Sequence, residues 1–317
     1  ELASFAFTEP AAGSNPTAIE ATARPDGHGG WFLRGSKKWI GTAAWSSLIH
    51  VFAHVIDAHG VRRGITAFAV RHDAPGLVQG AEELTMGMRG MVQNTVHLND
   101  VRVAPADVIG GIGQGMRIAQ DIMEFGRVCI AGTAIGVMMR AGQLMARYAS
   151  RRGVATGWLI DNFVSRERLT QLTLEAAALE TLVDQFAGWL DAGVEVPKEC
   201  YAAVKVLAAE TSYRAVDRLM QMLGGRGYIE SNLVPQMLRD TRLLRIFEGP
   251  TETMQMFVGT RVAAGSPDFI AFLRRLGGER VADTLVALAD ELNGRRGDGQ
   301  RTAMLLGDAA LWALWLA

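Results

Sequence analysis

The chain has 317 residues, 49% hydrophobic and 21% charged, a globular composition long enough for one large domain or two ordinary ones with substantial cores. Its net charge of −1 gives no general polyanion-binding surface, so nucleic acid is not an expected partner. Cys129 and Cys200 stand in apolar or helical contexts without ligand-like spacing; they read as buried thiols of a reducing, cytoplasmic compartment, and no metal is expected. No uninterrupted apolar run reads as a bilayer span, and no signal peptide opens the chain.

In chain order, residues 1 to about 110 carry strand signals. Glu1-Leu2-Ala3-Ser4-Phe5 reads as a strand already under way, without an initiator Met. Trp31-Phe32-Leu33-Arg34, Lys38-Trp39-Ile40, His50 to Val55, Ile65 to Val70 and Thr95 to Leu98 are short and β-rich. Asp26-Gly27, His59-Gly60 and Ala74-Pro75-Gly76 supply the turns, and this spacing predicts a compact β-barrel or sandwich over 1–110. From Gly115 the period becomes helical. Met116 to Ala149 is expected to be interrupted near Gly126, Asp161 to Asp191 and Pro197 to Leu223 follow, and a fourth helix starts after Thr251. The expected fold class is α+β, a β domain followed by an all-α up-and-down four-helix bundle over 111–262. Residues 263–317 read as a helical extension with a polar linker at Asn293 to Gln300. Ala309 to Ala317 is an apolar helix without a cap, so both ends suggest a piece of a longer polypeptide.

One run carries most of the chemistry. Arg245-Ile246-Phe247-Glu248-Gly249-Pro250-Thr251-Glu252 sets a carboxylate between large apolar residues and a Gly-Pro turn. Partial desolvation there raises a carboxyl pKa and makes the ionised group a stronger base. The same residues also suit a glutamate that caps the next helix or pairs with Arg242 or Arg245. Four further stretches belong to the picture. Phe7-Thr8-Glu9-Pro10-Ala11-Ala12-Gly13-Ser14 is a small-residue loop that a flat ligand can approach, and Lys37-Lys38-Trp39-Ile40-Gly41-Thr42 offers an indole and a hydroxyl. Met86-Gly87-Met88-Arg89 is the third. In Gln221 to Tyr228, paired glycines end a helix and expose N–H groups, a place for a pyrophosphate. Singly, Trp39 reads as a core residue, Gly224-Gly225 as a helix stop and Gly13-Ser14 as a turn.

Their joint order resembles the acyl-CoA dehydrogenase family over roughly residues 1 to 262. The motifs carrying the resemblance are Thr8 to Ser14, Trp39-Ile40, Gly224 to Tyr228 with Arg239-Asp240, and Phe247 to Glu252. The resemblance implies FAD and the α,β-desaturation of an acyl thioester, on CoA or on a carrier protein. In the family the catalytic base sits either on this loop or on an earlier helix. Here the loop position is Glu248 and the helix position falls at Gly126, which cannot act as a base. Glu248 would then take the α-proton while hydride leaves to flavin N5. Thr8, Ser14, Trp39 and Thr42 match flavin-binding positions. Arg152, Gln221, Gly224 and Gly225 match positions that hold the ADP half of FAD across a homodimer or homotetramer interface. Ser14, Glu124, Arg127, Phe247 and Gly249 match positions along the acyl-thioester site. Electron-transfer flavoprotein or oxygen would accept the electrons.

The chain departs from the family pattern in several places. Thr42 comes one residue late, Gly153 to Gly157 replaces the usual Lys/Arg-x-Phe-Gly, and Asn162-Phe163 stands for a His-Gln. Pro250 replaces a threonine, and no Ser-Asp-Thr follows Arg89-Gly90. The family's amino-terminal helical domain, which in relatives walls the acyl pocket, does not appear in this sequence. These losses suit a divergent branch. The competing readings are an oxidase that sends electrons to oxygen and a helical scaffold that has lost flavin.

Overall fold

The computed structural model describes residues 2–294 and 298–317. The middle of the expected polar linker, residues 295–297, lies outside the described residues. The chain divides into two compact units, the first ending at Met123 and the second beginning at Glu124.

In the first unit β1 (Ala3–Ala6), β2 (Thr22–Pro25), β3 (Trp31–Gly41), β4 (Leu48–Ile56), β5 (Arg62–Arg71), β6 (Leu77–Glu82), β7 (Gln93–Val103) and β8 (Val108–Ile109) form one mixed sheet. The strand order is β6-β7-β3-β2-β4-β5-β8, with β1 lying parallel to β4. On β4 the period-2 alternation sends Ile49, Val51, Ala53 and Val55 into one core cluster and Phe52 into another on the opposite face. Leu77 of β6 and Val108 of β8 stand at opposite ends of the strand order yet pack on the same cluster. The sheet therefore curls around that cluster, in line with the barrel-or-sandwich expectation.

Trp31 to Arg34 and Lys38 to Ile40, read as separate strands, are one strand with an irregular register. Lys37 pairs with Val96 and Ile40 with Asn94, so Lys38 and Trp39 together oppose Thr95. This is a β-bulge, and it turns Trp39 to the outside. The polar run Ser36-Lys37-Lys38 hid the continuity because Lys37, contrary to its type, is buried.

The helices are α1 (Gly115–Ala149), α2 (Phe163–Asp191), α3 (Lys198–Leu223), α4 (Gly225–Tyr228), α5 (Leu233–Leu244), α6 (Thr251–Ala263), α7 (Pro267–Arg275), α8 (Glu279–Gly294) and α9 (Gly299–Leu316). The interruption expected near Gly126 does not occur. A glycine costs a helix only about 1 kcal/mol. The buried stripe Ala131, Ala134, Met138, Ala141, Met145 and Ala149 offsets that locally. Reading a break there also shortened the apolar run. As one helix, α1 is long and apolar enough by length and composition to cross a membrane, and it carries a buried stripe at three-to-four spacing along one face.

Helix α5, which carries Pro235 in its first turn, was not among the expected helices. Within the first helical turn a proline gives up an N–H that needs no helical partner, and Asn232 caps the turn by accepting from Val234 N. Cys200 is buried as expected, whereas Cys129 points outward from α1. Helix α3 is the axis of the second unit, nearly all buried from Glu199 to Leu219, with α2, α5 and α6 packed on it.

Candidate active site

The loop between α5 and α6 carries Glu248 and is fastened at several points. Its ends are closed by Thr251 N–H donating to Arg245 O at 3.1 Å. One carboxylate oxygen of Glu210, on α3, accepts from Arg245 Nε and Thr251 Oγ1, both at 2.7 Å. Five residues earlier on α3, the fully buried Lys205 donates through Nζ to Gly249 O at 2.6 Å. Arg127 Nε, from α1, donates to Glu248 O at 3.2 Å. Two consecutive loop carbonyls are thus held by cationic donors, which make the stronger class of hydrogen bond. The fastening maintains unusual backbone, with φ of 55° at Glu248 and 97° at Gly249. At Gly249 a Cβ would meet Met254 Cε at 2.5 Å, so a larger residue there must displace the methionine as well as take up a strained φ.

Glu248 is half-buried, and one oxygen of its carboxylate, Oε2, is buried with no hydrogen-bond partner among the described residues. Burial pushes the carboxyl above its usual range, against the nearby charges of Arg127 and Lys205. Burial likewise lowers Lys205 to about 8, with Arg127 adding to the effect. A Cβ on Gly126 would lie 3.7 Å from the Glu248 carboxyl carbon and 3.8 Å from either oxygen. Glu124 and Arg127 flank this glycine on α1, and Lys198 Nζ approaches Glu124 Oε1 at 3.9 Å. Glu124, Arg127, Phe247, Glu248 and Gly249 therefore fall in one neighbourhood. The alternatives open in the sequence are not adopted for α6 or Arg245. Pro250 is the α6 N-cap residue, without a side-chain cap, and Arg245 pairs with Glu210.

Elsewhere in the second unit, a surface cavity of about 410 Å³ is lined by Arg147, Tyr148, Arg151 and Arg152 at the end of α1, and by Leu223 and Arg226 at the α3–α4 junction. Gly224, with φ 58°, makes that junction, and Gln221 and Gly225 flank it. Where the family's motif is lost, Gly153–Val154 and Gly157–Trp158 form a small hairpin after Arg152. Arg147, Arg151 and Arg226 were not singled out from the sequence. Their signal was the basic spacing Arg147, Arg151, Arg152 at a helix end.

In the first unit the Thr8 loop lies along β3, with Lys38 N–H donating to Thr8 O at 2.9 Å. Beneath it, the buried Lys37 and Glu9 pair at 2.7 Å, and Lys37 Nζ also reaches Phe7 O at 3.1 Å. Glu9 further accepts from the N–H groups of Glu20 and Ala21. Burial brings Lys37 down to about 8, with Glu9 opposing the fall. Trp39 is 55% exposed, and Lys38 Nζ lies 5.1 Å from its ring. The Thr42 hydroxyl donates back to Gly41 O at 2.7 Å, and Ser14 is exposed on the loop after Ala12. Among the described residues five non-glycine positions have positive φ, and three of them are Trp39, Thr42 and Glu248. Strain of this kind gathers where function requires a set geometry. Glu9, Lys37 and Lys205, which are buried, and the half-buried Glu210 escaped the sequence reading because such a charge looks like any other surface charge in a sequence.

A family model described as "Acyl-CoA dehydrogenase, middle domain" matches residues 4–101, and one described as "Acyl-CoA dehydrogenase, C-terminal domain" matches residues 113–263. The chain belongs to the acyl-CoA dehydrogenase family. It is similar to the very long-chain specific acyl-CoA dehydrogenase of Rattus norvegicus, 31% identical over 81% of this chain. It spans 40% of that relative's length. With the 3-(aryl)acrylate reductase of Clostridium sporogenes it is 32% identical, covering 81% of this chain and 68% of the relative. The structure of an acyl-CoA dehydrogenase complexed with FAD from Bacillus anthracis superposes with a TM-score of 0.87 at 22% identity, over 99% of this chain and 60% of that one. The helices after Ala263 are therefore part of a shared fold and not a peculiarity of this chain.

Acyl-CoA dehydrogenases bind FAD, and the residues of this member fit such a group. The arginines of the cavity are the donors a diphosphate takes, and the exposed indole of Trp39 offers a flat apolar face.

Proposed function

We propose that the chain is the catalytic portion of an FAD-dependent acyl-thioester dehydrogenase in which Glu248 removes the α-proton. The observation that carries this reading is the buried, unpartnered Oε2 of Glu248. Native proteins seldom leave a carboxylate oxygen dry and unbonded without a functional reason. A thioester α-C–H is a weak acid, so its base gains from desolvation and from a pKa raised toward the working pH. The departing charge collects on the thioester oxygen, which needs a donor. The Glu248 N–H is available for this, since among the described residues no carbonyl accepts from it. Arg127 and Lys205 fix the peptide planes on the carbonyl side of that loop and leave the N–H to the substrate.

Bound FAD supplies the acceptor for the β-hydride. In the first unit Thr8, Ser14, Trp39 and Thr42 would hold its isoalloxazine part. In the second, Arg152, Gln221, Gly224 and Gly225, joined by Arg147, Arg151 and Arg226, would hold the diphosphate half. The cavity lined by Arg147, Arg151, Arg152 and Arg226 is open to the surface, which suits FAD presented by a second subunit of a homodimer or homotetramer. A monomeric, flavin-saturated protein in sedimentation would contradict that part. Phe247 and Gly249 would line the acyl path, with Glu124 and Arg127 beside it. Electron-transfer flavoprotein is the acceptor this reading favours over oxygen.

The departures around Arg152 and Pro250 leave the base untouched, so we take a carrier-bound acyl group to be at least as good a substrate as the CoA ester. A carrier presents only the phosphopantetheine arm and relaxes the need for adenine contacts. Comparing kcat/KM for matched acyl-carrier and acyl-CoA substrates tests this, and a clear preference for CoA would remove it. The whole reading is tested by purifying the full-length protein. It should be yellow and bleach anaerobically with acyl thioester; a colourless protein that takes up no FAD would support the scaffold reading instead.

A further inference from the structure

Lys205 is unusual in being a lysine with no exposed surface, on the most buried helix of its unit. A buried ammonium is costly unless its donors are used, and no carboxylate lies within ion-pair distance of it among the described residues. Its hydrogen bond goes instead to Gly249 O at 2.6 Å, the carbonyl next along from the one held by Arg127. The charges facing this region are Glu124 and Arg127 from α1, Lys205 and Glu210 from α3, and Glu252 from α6. Of these, Glu210 is engaged by Arg245 and Thr251, while Oε2 of Glu248 itself has no partner among the described residues.

We propose that Lys205 is a positioning residue for Glu248, holding the loop through Gly249 O so that the carboxylate stays against Gly126, and supplying a buried positive charge that favours its ionised form. This rests on Glu248 being the base. The geometry gives Lys205 two separable duties. The hydrogen bond holds the carbonyl of Gly249, next after Glu248, and Glu248 is a non-glycine residue in the left-handed region that such residues disfavour. The charge offsets part of the desolvation that holds the carboxyl above its usual range. Arg127 shares the second duty from the other side. Its own carbonyl contact is longer, at 3.2 Å.

Two variants separate the duties. Lys205→Gln keeps a donor and loses the charge, whereas Lys205→Met loses both. The measurement is a ¹³C NMR titration of glutamate carboxyls in the full-length holoenzyme, with Glu248 assigned by the resonance missing in Glu248→Gln. It reads Glu248 whether or not turnover occurs. The midpoint should rise in both variants, because a buried positive charge that favours the ionised carboxylate is lost. Anaerobic flavin reduction above that midpoint should be near normal in Lys205→Gln and at least about tenfold slower in Lys205→Met, the scale of lost orientation. An unmoved Glu248 midpoint in folded Lys205→Gln would overturn the proposal, and that variant carries the test alone if Lys205→Met does not fold. Undiminished flavin reduction in Glu248→Gln would instead refute the base assignment, so the two failures are distinguishable.

Discussion

Gly126 of α1 and the carboxylate of Glu248 face each other with room for little more than a methyl group between them: a Cβ on the glycine would stand 3.7 Å from the carboxyl carbon. The two positions at which the resemblance implies a base, 122 residues apart in this sequence by subtraction of 126 from 248, thus lie side by side. A glycine on the helix leaves that spot to the loop carboxylate.

Gly126→Ala should therefore fold normally, because its Cβ would make only ordinary van der Waals contacts. Gly126→Glu should not be neutral. Two carboxylates at one half-buried site cannot both ionise readily, so the acidic limb of the pH–rate profile should move up by at least about one unit. An unchanged limb would mean that the new side chain points away from Glu248.

The raised carboxyl pKa of Glu248 has a consequence for stability. A carboxyl raised on folding keeps its proton in the native state over a pH interval where the unfolded chain has lost it. Stability from this group falls as pH rises through that interval, from the unfolded value near 4.5 to the raised one. Glu248→Gln should accordingly melt higher than the parent at pH 7, with the difference vanishing below the unfolded carboxyl range. Thermal unfolding at several pH values checks this. A parent more stable than the variant at pH 7 would place the ionised carboxylate in a net favourable setting.

The outline of the fold was legible, and its reasons are local. Alternation on β4 and the three-to-four stripe of α1 are strong periodic signals. The failures came at Gly126, kept inside α1 by the buried stripe beyond it, at α5, whose local cap at Asn232 was not read, and in the polar run of β3 around the buried Lys37. At the site, the loops that carry Thr8 and Glu248 could be read as loops because their glycines and prolines mark turns. The charges that hold them, Lys37 with Glu9 and Lys205 with Gly249 O, could not. Burial is a property of the folded chain, and nothing in the spacing of a lysine announces it.

The Lys37–Glu9 pair gives a separate prediction. Lys37→Met leaves the buried Glu9 carboxylate with only two backbone donors, Glu20 N–H and Ala21 N–H. Removing one partner of a buried pair costs about 3–5 kcal/mol. Chemical denaturation should show a loss of that order, and Lys37→Met with Glu9→Gln should recover part of it. A loss below about 1 kcal/mol would mean that water reaches the pair, which is the behaviour of surface salt bridges.

Gly249 gives a third structural check. With φ at 97° and Met254 Cε 2.5 Å from a would-be Cβ, Gly249→Ala must shift the loop or the methionine. The backbone cost alone is about 1–3 kcal/mol. Activity should fall further than stability predicts, since the displaced residue adjoins Glu248. Gly249→Ala combined with Met254→Ala should recover stability more than rate, which unfolding curves and steady-state kinetics on the same preparation can separate.

The most direct measurement is anaerobic reduction of the bound flavin by acyl thioester in Glu248→Gln. Glutamine keeps the shape of the side chain and the backbone N–H but cannot take a proton. The account predicts that the variant holds FAD, stays yellow, and is reduced at least about 10²-fold more slowly than the parent, the scale of a lost general base. Reduction at the parent's rate in a flavin-replete variant would contradict it.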